Sequence, residues 1–306
     1  MSIDRRISYK VVIDTETAKL NPDKGINGCN SLVYDFGYAI VDKKGKVYLT
    51  RSFVISDIFD NETDRMNSAY YNNKIPMYKN DLANGSRIKV NFYTARKIFL
   101  SDLETYKVID VFAHNAKFDY YALNTTLNYL TNGKYRYFFP KNLIIHCTNE
   151  MAKQVIQNTP TYKRFCENNG YLTKHSTPKP QTKAEILYRY ITQNTEFIEN
   201  HTGLEDVLIE KEILAYCYRK HKKMNSLLFP PKANFTADKN LIEKIGEVAW
   251  LPFFFVLYYN GRNCLRPKNF TTWSTICQEE FYWQTIQNFS WNLCILHNVQ
   301  IRFYPL

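Results

Sequence analysis

Apolar positions along the chain change their period several times, and each change marks a predicted element. Residues 8–14 carry the β-branched run Val11-Val12-Ile13 directly before Asp14, the pattern of a buried strand. The runs 31–41 (SLVYDFGYAIV) and 47–55 predict two more strands, joined by the Lys- and Gly-rich turn Asp42-Lys43-Lys44-Gly45-Lys46. Three consecutive antiparallel strands are therefore expected. Residues 60–90 are polar and read as a long ordered loop or a partly helical insertion. Phe92, Ala95, Ile98, Phe99 and Leu103 then recur at helical spacing. A short buried strand is expected over 108–113, a helix over 118–130 and a further strand over 143–146. Residues 150–175 and 184–197 read as helical, separated by Ser176-Thr177-Pro178-Lys179-Pro180, which cannot continue a helix. Residues 204–218 predict an amphipathic helix. Strands first, then strands alternating with helices, predict a mixed α/β sheet with helices packed on it.

Composition narrows this picture. With 306 residues the chain can bury a full core, as one large domain or two small ones. Its net charge of +11 favours a polyanionic partner, nucleic acid or an anionic membrane surface. The 24 Tyr and 20 Phe supply candidate stacking platforms, although most aromatics in any chain are core. None of the 7 cysteines forms a CxxC pair, which argues against a structural zinc site. Their odd number and the lack of a signal-peptide pattern favour the reducing cytoplasm, the host cytoplasm if the chain is viral. The longest apolar run, 248–259, is too short to span a bilayer, so no membrane partner is expected.

The pattern breaks at Phe229-Pro230-Pro231, and all four tryptophans (250, 273, 283 and 291) lie beyond it. Two domains are expected, 1–228 and an aromatic-rich C-terminal extension, 229–306, of unassigned role. Beyond residue 230 there are 7 Lys and Arg against 5 Asp and Glu, so +9 of the +11 belongs to the preceding part. That part also holds the residues with the most chemistry.

Asp14 and Glu16 stand two apart where the first strand ends, which puts both side chains on one face. Asp119 opens a helix directly after the 108–113 strand; His114 and Asn115 lie on the connection. His201 precedes Asp206 by five, a spacing poorly matched within one helix. Gly203 suggests that His201 lies on a mobile loop and that Asp206 sits on the helix beginning near Leu204. Taken singly, each has a plainer reading: a polar turn, a first-turn acid on a helix dipole, a surface histidine beside glycine. Together, at strand ends and helix starts, they describe carboxylates able to gather divalent metals, with a histidine able to take a proton from water.

The motifs read IDTET, HNAKFD and HTGLED. In these the chain resembles the DnaQ-like exonucleases of the DEDD superfamily, in the branch whose third motif is His-x4-Asp (DEDDh). The 31–48 stretch also resembles that family's second and third strands. Thr202 stands where the sister branch keeps a tyrosine four before the last aspartate. The likeness covers roughly residues 8–220; residues 60–90 and 150–195 are longer than in minimal members.

The resemblance implies a ribonuclease-H-like fold, a central mixed five- to six-stranded sheet flanked by helices. It implies 3′-to-5′ removal of nucleoside monophosphates. By position Asp14, Glu16, Asp119 and Asp206 would ligate two Mg²⁺ or Mn²⁺ ions, with His201 as general base. One ion would generate hydroxide and the other would stabilise the leaving 3′ oxygen. Thr15 would lie near the terminal 3′ end, and Thr17, His114, Asn115 and Phe118 complete the expected substrate contacts, Phe118 by packing behind the site or touching a base. Single-stranded DNA or a frayed 3′ end is the favoured substrate. The alternatives are an RNA exonuclease of oligoribonuclease or tRNA-trimming type, and a non-catalytic binding protein on a retired nuclease fold. A stand-alone enzyme or a proofreading subunit beside a polymerase are both consistent with the chain, in replication or repair. The wealth of Asn, Lys, Ile and Tyr fits an AT-rich genome such as a bacterial virus. The oligomeric state is left open.

Overall fold

In the computed structural model, residues 3–67, 69, 72–220 and 223–229 are described. They fall within one compact unit, Met1–Pro231. Apart from Phe229, the expected C-terminal extension lies outside the described residues.

The sheet has six strands: β1 (Lys10–Lys19), β2 (Ser31–Val41), β3 (Val47–Ile55), β4 (Ile88–Val90), β5 (Asp110–Ala113) and β6 (Ile144–Cys147). Their order is β4-β3-β2-β1-β5-β6. Strands β1, β2 and β3 are antiparallel neighbours, as the hydrophobic runs and the Asp42–Lys46 turn predict. Parallel pairing joins β1 to β5 and β5 to β6. The result is a mixed six-stranded α/β sheet flanked by helices, as expected. Strand β4 adds a parallel edge beside β3 and comes from the polar 60–90 stretch.

Nine α-helices surround the sheet among the described residues. Short α1 (Ser56–Phe59) follows β3, and α2 (Thr63–Asn67) with the longer α3 (Ile75–Asn84) makes the 60–90 stretch a helical insertion. Helices α4 (Phe92–Tyr106) and α5 (Lys117–Leu130) follow. Then come α6 (Thr148–Ala152), a π-turn (Lys153–Gln157), α7 (Pro160–Asn168), α8 (Ala184–Thr192) and α9 (Gly203–Arg219).

Residues 150–175 are thus not one helical stretch. Pro160 takes the first turn of α7 behind the cap Thr159. Gly170, at φ +73°, stops it. Similarly Gln193, at φ +57°, closes α8 five residues before the expected end at 197.

Side-chain alternation in β1 divides the core. Val11 and Ile13 pack with Phe36, Phe99 and Leu123 under α4 and α5. Val12 packs on the other face with Val207, Ile213 and Leu214 of α9. The alternation places Asp14 and Glu16 on the same side as Val12. β1 continues to Lys19, so these carboxylates lie in mid-strand, not at its end. The bulge between Glu16 and Thr17 breaks the regular β2 register there, a device that re-aims side chains next to functional sites.

Two features fasten the outer elements. Residues 226–228 lie along β6: Cys147 N–H donates to the Ser226 carbonyl and Leu228 N–H to the Ile145 carbonyl, at 2.7 and 2.8 Å. At the base of β1, Lys10 Nζ and His146 Nε2 hold the Asp110 carboxylate at 2.6 and 3.0 Å. These bonds hold the Asp110 carboxyl down at about 2, the His146 contact contributing most. No helix among the described residues is long and apolar enough to cross a membrane.

Candidate active site

Parallel pairing of Val11 with Val111 and Val12 with Phe112 sets the end of β5 beside the middle of β1, next to Asp14. The loop after β5 leads into α5, so Asp119, third in that helix, faces β1. The Thr15 hydroxyl donates to Asp119 Oδ1 at 2.8 Å. Helix α9 approaches from the opposite face, and one oxygen each of Asp14, Glu16 and Asp206 lie within 4.8 Å of one another. A pocket of about 350 Å³ opens here, lined by Asp14, Glu16, Asp119, His201 and Asp206. The five motif residues meet.

The close approach of α9 depends on two glycines. Gly37 pairs with Asp14 across β1 and β2. A Cβ on Gly37 would sit 2.2 Å from the Gly203 carbonyl carbon, and one on Gly203 would sit 2.8 Å from Gly37 N. Gly203 is therefore required by contact, not by loop freedom as its neighbourhood in sequence suggests. Its N–H donates to Asp35 Oδ2 at 3.0 Å, deep in the protein. Asp35 also accepts from Tyr78 and from Arg87, at 2.7 and 3.1 Å. Arg87 continues to Asp81, to Ser52 and to Glu205 of α9. Lys74 Nζ donates to the His201 carbonyl at 3.3 Å. The 60–90 insertion thus grips the start of α9 through charged hydrogen bonds. His201 itself has φ +51°, a left-handed backbone uncommon for a residue other than glycine.

His201 Nδ1 lies 3.4 Å from Glu199 Oε2 and 4.0 Å from Asp206 Oδ2. Desolvation, with Lys74 nearby, pulls its imidazole below the usual range and favours the neutral ring at pH 7. Glu199 was not legible as a partner; nothing but its position two before His201 points to it. Desolvation raises its carboxyl to about 7.

The electrostatics of the pocket are those of crowded acids. Desolvation and then the neighbouring Asp206 push Glu16 up to about 9. Desolvation raises Asp206 to about 8 and Asp119 to about 7. Asp14 is also raised well above the ordinary range, by desolvation and by Asp119, Glu210, Asp206 and Glu16. Glu210, 2% exposed, adds another buried carboxyl and accepts the His114 backbone N–H at 2.9 Å. Sequence carries a signal for it that the motifs overshadow: it follows Asp206 by four, on the same helix face. Asp206 Oδ1 is buried without a hydrogen-bond partner. Carboxylate oxygens in this crowding, one of them unpaired, fit a hard divalent cation.

The remaining expected residues divide. Thr15, Thr17, Asn115 and Phe118 all line the pocket. Phe118 also packs against the core. Asn115, exposed at φ +62°, presents its side chain at the rim. His114 touches the pocket, but its ring is tied down. Nε2 donates to the Thr182 carbonyl at 2.7 Å, which leaves Nδ1 to accept from the Thr148 hydroxyl at 3.0 Å. Burial holds this imidazole down at about 4. It is a neutral brace between α5, α6 and α8.

No family model matches the chain, and no curated protein matches it. Solved structures do. One, of a 3′-exonuclease recognising the histone mRNA stem-loop, is 13% identical with a TM-score of 0.43, over 75% of this chain and 71% of that one. The nuclease domain of 3′hExo, a DEDDh family member bound to rAMP, is 13% identical with a TM-score of 0.42, over 74% and 100%. Exonuclease I of E. coli with a dA16 oligonucleotide is 12% identical with a TM-score of 0.41, over 68% and 41%. A structure of a DEDDh family member is thus among those to which the chain is similar.

Proposed function

We propose that the protein is a metal-dependent 3′-to-5′ exonuclease that releases nucleoside 5′-monophosphates from single-stranded DNA or frayed 3′ ends. The observation that carries this reading is the convergence of Asp14, Glu16 and Asp206 within 4.8 Å, in a pocket shared with Asp119 and His201. Asp14, Glu16, Asp119 and Asp206 would hold two Mg²⁺ or Mn²⁺ ions. When bound, such ions activate water and stabilise the charge that develops on the phosphate and the leaving oxygen.

The chain's own groups supply the rest. His201, neutral and with Nδ1 facing Glu199, takes the proton of the attacking water at Nε2. Glu199 orients the ring and steadies the imidazolium that results. The Thr15 hydroxyl holds Asp119 in place, and Thr17, Asn115 and Phe118 position the terminal nucleotide in the pocket. A basic surface on the first 230 residues attracts the strand to an acidic centre. RNA remains the alternative substrate, because sugar choice depends on contacts at the 2′ position and not on the carboxylates. A retired nuclease fold is disfavoured, since all five motif residues are present and meet.

The test is a parallel digestion of labelled single-stranded DNA, RNA and duplex with Mg²⁺ or Mn²⁺, and with EDTA. Ion-dependent 3′ shortening of DNA is expected, and much faster loss of RNA would reverse the substrate order. Asp14→Asn is expected to lower the rate roughly 10²–10³-fold, by the scale on which single electrostatic groups act, while oligonucleotide binding persists. Equal rates in wild type and variant would remove the metal assignment.

A further inference from the structure

We propose that the segment following α5, Lys134–Tyr137, is a stacking track for the single strand whose 3′ end occupies the pocket. The proposal rests on the nuclease reading for its substrate, but on separate observations for its location.

After α5 the chain reverses at Asn132 and Gly133, both at positive φ (+50° and +82°). It then runs back along one face of the helix. The Asn128 side chain donates to the Tyr135 carbonyl, the Phe138 N–H donates to Asn124 Oδ1, and Phe139 stacks on Tyr120 with centroids 5.8 Å apart. The contacts step through 128, 124 and 120, four residues at a time. They therefore follow one helix face from its far end to the turn beside Asp119 and Phe118. Eight residues of helix rise about 12 Å, room for three to four stacked nucleotides at about 3.4 Å each.

Side chains along this segment divide sharply. Phe138 and Phe139 are buried, whereas Tyr135 and Tyr137 are 54% and 65% exposed. Phe229 is another exposed aromatic, and it packs on the Tyr120 ring at 4.8 Å on the same face. Large aromatics left exposed along one helix face are the uncommon observation; buried ones would need no explanation.

Charge selects the occupant. From residue 111 to 149 the sequence contains a single carboxylate, Asp119, which is buried at the pocket. The same stretch exposes Lys117, Lys134, Arg136 and Lys141. Glu62, which reaches α5 at Tyr129, is already paired with Arg65. Alternating exposed rings and cations, unbalanced by acids, suit bases that stack and phosphates that pair, and single strands present both.

The experiment uses the full chain in EDTA, with fluorescently labelled dT12 followed by anisotropy. Tyr135→Ala/Tyr137→Ala is expected to weaken binding roughly 10- to 100-fold. Tyr135→Phe/Tyr137→Phe keeps the rings and should bind like wild type. Lys134→Ala/Arg136→Ala should lower the slope of log K against log salt by about 0.7 for each phosphate no longer neutralised. Cleavage of the p-nitrophenyl ester of thymidine 5′-monophosphate, which is too short to reach the track, should be unchanged in all three. Wild-type affinity in the alanine variant, or equal loss in the alanine and phenylalanine variants, overturns the proposal. Wild-type protein that binds dT12 through these tyrosines yet hydrolyses nothing keeps the track and removes the nuclease reading instead.

Discussion

Asp206 holds one carboxylate oxygen in the protein interior without a partner, while Glu16 and Glu199 crowd the same space. A carboxyl raised in the folded state binds a proton more tightly there than in the unfolded chain. Its contribution to stability is fully present below the unfolded value near 4 and is lost as pH rises through the folded one. For Asp119, Asp206 and Glu16 the loss runs from about 4 upward through about 7, 8 and 9. Cation-free protein should therefore melt several degrees lower at pH 8.5 than at pH 6, at about 2–4 °C for each kcal/mol. Added Mg²⁺ should shrink the difference, and a calorimetric pair at each pH with EDTA or Mg²⁺ checks this. A flat melting temperature in EDTA would mean the acids are less crowded than the geometry indicates. The identities of these acids were legible in the sequence because each sits in a short motif. Glu199 was not, because an acid in a loop looks solvated until its neighbours are known, and Glu210 shows only in its spacing four after Asp206.

At the level of elements, the start of α9 shows what sequence can and cannot convey. Strands β2 and β3 fall where their apolar runs place them, and β2 is buried along its whole length. The contact between Gly37 and Gly203 is invisible to such patterns, because it joins residues far apart in the chain. Gly37→Ala forces a methyl group into the α9 backbone. We expect a loss of about 1–3 kcal/mol, read as a lower urea midpoint, together with reduced activity as His201 and Asp206 move away from Asp14. Arg87 is the second anchor, with its side chain 3% exposed and Asp35 wholly buried beneath it. Arg87→Ala would leave that carboxylate unpaired and should cost about 3–5 kcal/mol. Arg87→Lys should restore only part, because a lysine cannot reproduce the fork to Asp35, Asp81 and Glu205. Urea titrations of both variants would show it. The over-long helices expected at 150–175 and 184–197 have a simple cause. Their apolar spacing persists past Gly170 and Gln193, but the backbone turns left-handed at those residues.

For the molecule as a whole, the two ends of the sheet do different work. Its upper end carries the unpaired acids; its lower end carries Asp110 between Lys10 and His146. Here the sign is opposite: a carboxyl held down at about 2 stabilises the fold above pH 4, and this is lost as pH falls toward 2. Asp110→Asn should lower stability at pH 7 by about 1–2 kcal/mol, the partly exposed pair being partly screened by solvent. The difference from wild type should vanish near pH 2, as acid-titration melts would reveal.

The strap at residues 226–228 covers one margin of the sheet. β4, at the opposite margin, is three residues long, and its Lys89 is paired with Asp60. Such a short, charged margin offers little to an approaching strand. β6 has no such defence of its own; its outward hydrogen-bonding groups are masked by Ser226 and Leu228. A chain ended after Lys223 keeps every motif residue yet bares a β-margin able to recruit a second molecule. Such a chain should scatter light on concentration, whereas one ended after Phe229 stays dispersed. The segment just before the Phe229-Pro230-Pro231 break is, in this sense, the last stitch of the sheet among the described residues.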